Sequence, residues 1–164
     1  MLPLEDWKKI YSQVPRSCVD IVLTRDDGRV LITKRAEAPW KDYWHFPGGT
    51  VRKGERSIDA VRRLLQEELR MEGIAEFRES SFLEEYSISP ALATIEFLGS
   101  PEDPDLHVIS QVFTLSLRSG GTLEAGDRTS QIEWVDPVKP LPQLFVPQHA
   151  NVLKLLVQIG NILR

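Results

Sequence analysis

Residues 49–71 read Gly49-Thr50-Val51-Arg52-Lys53-Gly54-Glu55-Arg56-Ser57-Ile58-Asp59-Ala60-Val61-Arg62-Arg63-Leu64-Leu65-Gln66-Glu67-Glu68-Leu69-Arg70-Met71. Apolar Ile58, Val61, Leu65 and Leu69 recur at helical spacing and predict an amphipathic helix from about Ile58 to Met71. Ser57 is the expected N-cap, Asp59 in the first turn faces the positive end of the helix dipole, and Gly73 is placed to end the helix. Positions 64, 67 and 68 stand at i, i+3 and i+4 and so share one helix face. Adjacent glutamates on a helix are ordinarily solvated surface. Here they follow Gly49, Glu55 and Arg63 at fixed intervals, which sets them apart.

Outward from this stretch, the chain alternates strand and turn signals. Residues 17–24 and 30–35 read as two strands around Asp26-Asp27-Gly28-Arg29, where Asp-Gly supplies the positive φ of a tight turn. Residues 36–49 look irregular and hold Pro39, Trp40, Tyr43, Trp44, His45, Phe46 and Pro47. Beyond the helix, residues 76–88, 93–98, 106–117 and 131–135 read as strands. Pro101-Glu102-Asp103-Pro104 and Ser119-Gly120-Gly121 mark loops. A short helix over 5–13 opens the chain and one over about 148–163 closes it. Strand pairs separated by one helix and closed by another imply an α/β layered fold with a mixed sheet. No domain boundary, repeat or low-complexity tract is visible, so one domain spanning 1–164 is expected.

The composition sets the outer limits. The chain has 164 residues, 41% hydrophobic and 27% charged, as in one ordinary globular domain. A net charge of −4 lacks the basic footprint of a nucleic-acid binder. No apolar run approaches a membrane span and the N-terminus is not a signal peptide, so a soluble cytoplasmic protein is expected. Cys18 is the one cysteine, which excludes an intramolecular disulfide and a cysteine-based zinc site; it reads as a small core residue.

The spaced residues carry a resemblance. Gly49, Glu55, Arg63, Leu65, Glu67, Glu68 and Met71 match seven of the nine fixed positions of the Nudix hydrolase signature, whose loop–helix–loop likewise follows a strand pair and a Pro-Gly-Gly turn. Leu64 stands where that family has Glu, and Arg70 where it has Gly. The resemblance implies an αβα sandwich with a mixed sheet. It also implies hydrolysis of a nucleoside diphosphate linked to another moiety, with Mg²⁺ or Mn²⁺ as cofactor and a homodimer as the common assembly. Carboxylates on one face suit such hard ions, which neutralise diphosphate charge and activate water. The implied metal set is Gly49 through its carbonyl, Glu55, Glu67 and Glu68, with Arg63, Glu67 and Glu68 in the catalytic group. Arg63, one turn before Glu67, can orient it by an ion pair.

Leucine at position 64 neither binds a metal nor accepts a proton. Fewer ions, a ligand from another loop, or an inactive binding or regulatory module would each follow. The GDP-mannose mannosyl hydrolase branch of the family also has leucine there and attacks the sugar carbon. This chain resembles that branch in Asp20 within the first strand, in Lys34-Arg35 and in the run from Ala38 to Gly49. A nucleotide sugar is therefore the leading substrate class.

Asp20, Arg35, Arg52 and Tyr43 are the substrate-binding candidates. Asp20 in an apolar strand needs a partner; it either faces substrate or pairs with an arginine. Arg35 either binds phosphate or is a strand-end surface charge. Trp40, Tyr43 and Trp44 offer faces to a nucleobase, with packing favoured for Trp44 and Tyr43 left open. His45 reads as structural. The branch's base, a histidine in the loop before the late strand, is missing from residues 125–131. Asp127 or Glu124 is either a substitute or a plain loop acid, and His107 and His149 match no family position. The isomerases of the fold carry extra metal-binding histidines not visible here.

Overall fold

The computed structural model describes residues 3–71, 86–88, 92–117 and 123–160. Its elements are α1 (Leu4–Tyr11), β1 (Arg16–Arg25), β2 (Val30–Arg35), β3 (Trp44–His45), β4 (Gly48–Thr50) and α2 (Ser57–Leu69), then β5 (Tyr86–Ile88), β6 (Ala93–Leu98), β7 (His107–Leu117), β8 (Thr129–Val135) and α3 (Pro147–Gln158). The strands form one mixed sheet along the path β3-β2-β1-β7-β5, with β4 on β1, β6 on β7 and β8 on β2. The β1–β7 pair is parallel in register from Arg16↔Val108 to Arg25↔Leu117, and the other pairings of named strands are antiparallel. The expected α/β architecture with a mixed sheet is what the chain adopts.

Alternation along β1 decides which layer each residue meets. Val19, Ile21 and Leu23 pack with Val61, Leu64, Leu65 and Leu69 of α2. Val22 packs on the opposite face with Val152, Leu153 and Leu156 of α3. Asp20 has the parity of Val22, so it belongs to the α3 face. Among the described residues no helix is long and apolar enough to cross a membrane.

Several boundaries move for physical reasons. The stretch 36–49 is not wholly irregular: β3 and β4 flank Pro47, too short to leave an alternating pattern. Helix α2 starts at Ser57 with Arg56 as its cap and no side-chain cap bond; the Arg56 carbonyl accepts from the Asp59 and Ala60 amides. It ends at Leu69, because Arg70 turns left-handed (φ 47°) and takes the place expected of Gly73, which lies outside the described residues. Helix α1 spans 4–11 rather than 5–13, β8 begins at Thr129 rather than Gln131, and α3 ends at Gln158, with Pro147 in its first turn. Only Tyr86–Ile88 of the expected 76–88 strand is described, and Ser119-Gly120-Gly121 falls outside.

Candidate active site

Two glycines bring β4 against β1. A Cβ on Gly48 would overlap Asp20 Oδ1 and the Val19 carbonyl, so this approach requires glycine. A Cβ on Gly49 would stand 2.9 Å from Leu64 Cδ2. Leu64 is fully buried in the α2 core cluster, so the leucine at the family's carboxylate position packs the core beneath Gly49.

Next to it lies an ionic cluster centred on Arg63. Its guanidinium holds Glu55 through two oxygens (Nε–Oε1 2.7 Å, Nη2–Oε2 2.8 Å), donates to Glu67 Oε2 at 3.0 Å and to the Thr50 carbonyl at 3.0 Å. Arg52 takes the other oxygen of Glu67 at 3.0 Å. The bonds from Arg63 hold the Glu55 carboxyl below the usual range, and Glu55 in turn raises the Arg63 guanidinium. Arg63 therefore orients Glu67 at i,i+4 spacing.

Glu68 sits apart from this cluster. It is buried, and the Gly48 amide donates to its Oε2 at 3.1 Å. Burial pushes its carboxyl up to about 7, against the Gly48 bond and the fields of Arg128 and Arg35, with Asp20 adding to the rise. Its carbonyl and those of Glu67 and Leu69 accept from the amides of Gly126 (2.8 Å), Asp127 (3.1 Å) and Glu124 (3.1 Å). The loop before β8 thus caps the C-terminus of α2, satisfying carbonyls that have no partner within the helix. A Cβ on Gly126 would overlap the Glu67 carbonyl.

Glu68, Asp20, Arg35 and Gly49 line one cavity of about 200 Å³, together with Arg128, His149, Trp7 and Trp40. Asp20 Oδ2 lies 3.3 Å from His149 Nε2, at ion-pair distance though not aligned as a hydrogen bond. The arginine partner entertained for Asp20 is thus replaced by a histidine from α3, on the face its parity assigns. His149 Nδ1 accepts from the Phe46 amide at 3.1 Å, which places the ring N–H on Nε2, toward Asp20. Burial keeps His45 well below its ordinary range, with its Nε2 3.1 Å from Thr33 Oγ1; it is the structural histidine expected. Burial, then Asp20, pushes the Cys18 thiol up to about 12, which makes it inert.

The remaining candidates fall elsewhere. Arg52 and Glu55 belong to the Arg63 cluster. Tyr43 does not line this cavity; its ring stands edge-on to Trp40, centroids 5.0 Å apart. Glu124 and Asp127 do not line it either. Sequence reasoning passed over Arg128 and Trp7, and it set His149 aside as matching no family position. No local spacing could have flagged His149, since the fold alone brings α3 to Asp20 of β1, whereas Trp7 lies near in the chain to Arg16, whose guanidinium stands 4.2 Å over its ring. Arg128 lay in a loop searched for bases and acids, not for cations.

A NUDIX domain model matches residues 14–156. The chain belongs to the NUDIX family. It is 32% identical over 152 residues to the low-salt glycan biosynthesis protein Agl8 of Haloferax volcanii, covering 93% of this chain and 90% of that protein. It is 35% identical over 141 residues to the ADP-ribose pyrophosphatase of Methanocaldococcus jannaschii, covering 85% and 72%. The MutT protein of Methanosarcina mazei superposes with a TM-score of 0.69 at 17% identity over 89% of this chain and 96% of that one, a likeness of fold. With such relatives the NUDIX chain is a hydrolase.

Whether a divalent ion suits this NUDIX site can be tested on its donors. Among the described residues, no three His, Cys, Asp or Glu side chains converge to hold a metal. Glu67 and Glu68 are successive hard carboxylates on α2, and Glu68 shares the cavity with Gly49 while Glu67 stands in the Arg63 cluster. Mg²⁺ is commonly held by one or two carboxylates plus substrate phosphates. The donor set therefore fits an ion that arrives with a phosphorylated substrate, and fits poorly one caged by protein alone.

Proposed function

We propose that this protein hydrolyses a nucleoside diphosphate linked to a second moiety, a nucleotide sugar foremost, with Mg²⁺ or Mn²⁺ as cofactor, as one domain over 1–164. The observation that carries this reading is a cavity lined by a buried carboxylate, Glu68, and by Arg35, with Trp7 and Trp40 lining it as well. Anionic phosphates call for the arginine, and a nucleobase for an aromatic face.

Glu67 and Glu68, with the carbonyl of Gly49, would hold the ion. When bound it neutralises phosphate charge and activates water. Arg63 fixes Glu67 and Glu55 so that neither swings away when a cation approaches. Arg52, which pairs with the other Glu67 oxygen, would be free to contact phosphate were that oxygen given to an ion. The Gly48 amide orients Glu68, and Asp20, 3.3 Å from His149 Nε2, lines the cavity, where its carboxylate can accept from a hydroxyl of the sugar. The relationship to Agl8, a protein named for glycan biosynthesis, supports a sugar-linked substrate, and the ADP-ribose pyrophosphatase supports a nucleoside diphosphate core. A homodimer belongs to the same family-based reading, and a cytoplasmic location to the reading of the sequence.

A second reading has its own observation. Leu64 is sealed in the core, and both oxygens of Glu67 are taken by arginines. That arrangement suits a weak or inactive NUDIX module that binds a nucleotide sugar without turnover. A screen for sugar or phosphate release across nucleotide sugars and other nucleoside diphosphate derivatives, with Mg²⁺ and with Mn²⁺, separates the two. Turnover of one substrate class, abolished by Glu68→Gln, supports the enzyme. Tight binding with no release from any substrate supports the module.

A further inference from the structure

Most of the arginines described around the site are compensated. Arg16 pairs with Asp103, Arg52 with Glu67, and Arg63 with Glu55 and Glu67. Arg35 and Arg128 differ: both line the cavity, and neither makes an ion pair with a described residue. They are close enough that the field of Arg128, after burial, lowers the Arg35 guanidinium, while Glu68 and Asp20 act in the opposite sense. Among the described residues no carboxylate contacts either guanidinium, and the Arg35 Nε is buried without a hydrogen-bond partner, so donors in the cavity are left for a bound anion.

Their backbones are fixed. The Ala36 amide donates to the Arg128 carbonyl at 3.1 Å. The β2–β8 ladder shifts register between Lys34 and Arg35: Lys34 faces Gln131 but Arg35 faces Thr129, and Ser130 is the extra residue. Ser130 Oγ donates to the Lys34 carbonyl at 3.2 Å. A bulge of this kind re-aims side chains, and here it brings the end of β2 beside Arg128. The preceding residues of the same loop are tied to the end of α2 that carries Glu68. The backbones that carry both arginines are thus set before any ligand arrives, which lowers the ordering cost of binding.

We infer that Arg128 and Arg35 form a two-guanidinium seat for two linked phosphoryl groups, with Arg128 the residue that selects a diphosphate over a single phosphate. A guanidinium presents a planar fork that matches one phosphoryl group bidentately. One fork recognises a phosphate, and two adjacent forks recognise a pair. The inference rests on the nucleoside diphosphate reading for its biological ligand, but inorganic pyrophosphate alone tests the seat.

The experiment is isothermal titration of the full chain with pyrophosphate and with phosphate, in a metal chelator and low salt, for wild type, R128Q, R128K and R29Q. Arg29 sits in the β1–β2 turn with Asp27 and controls for loss of one charge. Wild type should bind pyrophosphate at least ~10-fold tighter than phosphate, R128Q should lose ~10- to ~100-fold for pyrophosphate and far less for phosphate, and R29Q should match wild type. R128K keeps the charge but not the fork, and should recover only part of the affinity. Wild-type affinity for pyrophosphate in R128Q overturns the inference, as does an equal loss in R29Q or no preference in wild type. If R128Q fails to fold, full affinity in R128K overturns it. Binding is read without turnover, so failure here leaves the hydrolase reading standing. A seat that behaves as described in a protein that hydrolyses nothing refutes that reading alone.

Discussion

Replacing Glu68 by glutamine should flatten the dependence of stability on alkali. Glu68 is 5% exposed, and burial raises its carboxyl from 4.5 to about 7 in the folded, metal-free chain. The unfolded chain releases this proton near the ordinary glutamate value. Between the two, the folded state binds more protons than the unfolded one, so stability falls as pH rises. The loss begins above the unfolded value and is complete above about 7. From about pH 5 to about pH 8 it amounts to about 2–3 kcal/mol. Glutamine is close in size, can still accept from the Gly48 amide, and does not ionise. Urea denaturation of wild type and Glu68→Gln, in chelator at both pH values, isolates the effect because titrating groups remote from Glu68 cancel. The variant should gain about 2–3 kcal/mol on wild type at the higher pH relative to the lower. An equal difference at both pH values would refute the assignment of a buried carboxyl at this site.

Three further changes probe the scaffold. Gly126→Ala places a methyl against the Glu67 carbonyl and disrupts the three loop amides that cap α2; chemical denaturation should show a loss of about 2–4 kcal/mol, at ~1 kcal/mol per bond, and a loss below about 0.5 kcal/mol would contradict the cap. Arg70→Gly relieves a left-handed non-glycine residue (φ 47°) and should raise the melting temperature, for a gain of ~0.5–1 kcal/mol; a lower melting temperature counts against the strain. Leu64→Glu restores the family's residue but puts a carboxylate where the side chain is fully buried. Without metal it should cost at least ~3 kcal/mol, and Mg²⁺ should recover part of it; a metal-free variant as stable as wild type would show that the site is open to water.

The sequence reading succeeded where the determinants are local. The spacing of Val61, Leu65 and Leu69 located α2 and its buried stripe, and Asp27-Gly28 located the β1–β2 turn, with Gly28 at φ 78°. The i,i+4 relation of Arg63 and Glu67 could be read directly and is an ion pair of 3.0 Å. It missed what the sheet creates between distant segments. Asp20 meets His149 because β1 parity turns it toward α3, and no motif links the two. Glu68 differs from its neighbour Glu67 because one helical step turns it into the cavity, leaving Glu67 with Arg52 and Arg63. The end of α2 was misplaced because the loop at 124–127 supplies donors for its last carbonyls, so no glycine at 73 is needed to finish the helix there.

The most direct test is steady-state hydrolysis of the best nucleotide sugar, titrated with Mg²⁺, by wild type, Glu67→Gln and Glu68→Gln. The account predicts metal-dependent turnover in wild type, loss of at least ~100-fold in kcat for Glu68→Gln, and a weakened response to Mg²⁺ for Glu67→Gln. Full activity in both variants, at unchanged Mg²⁺ dependence, would contradict it.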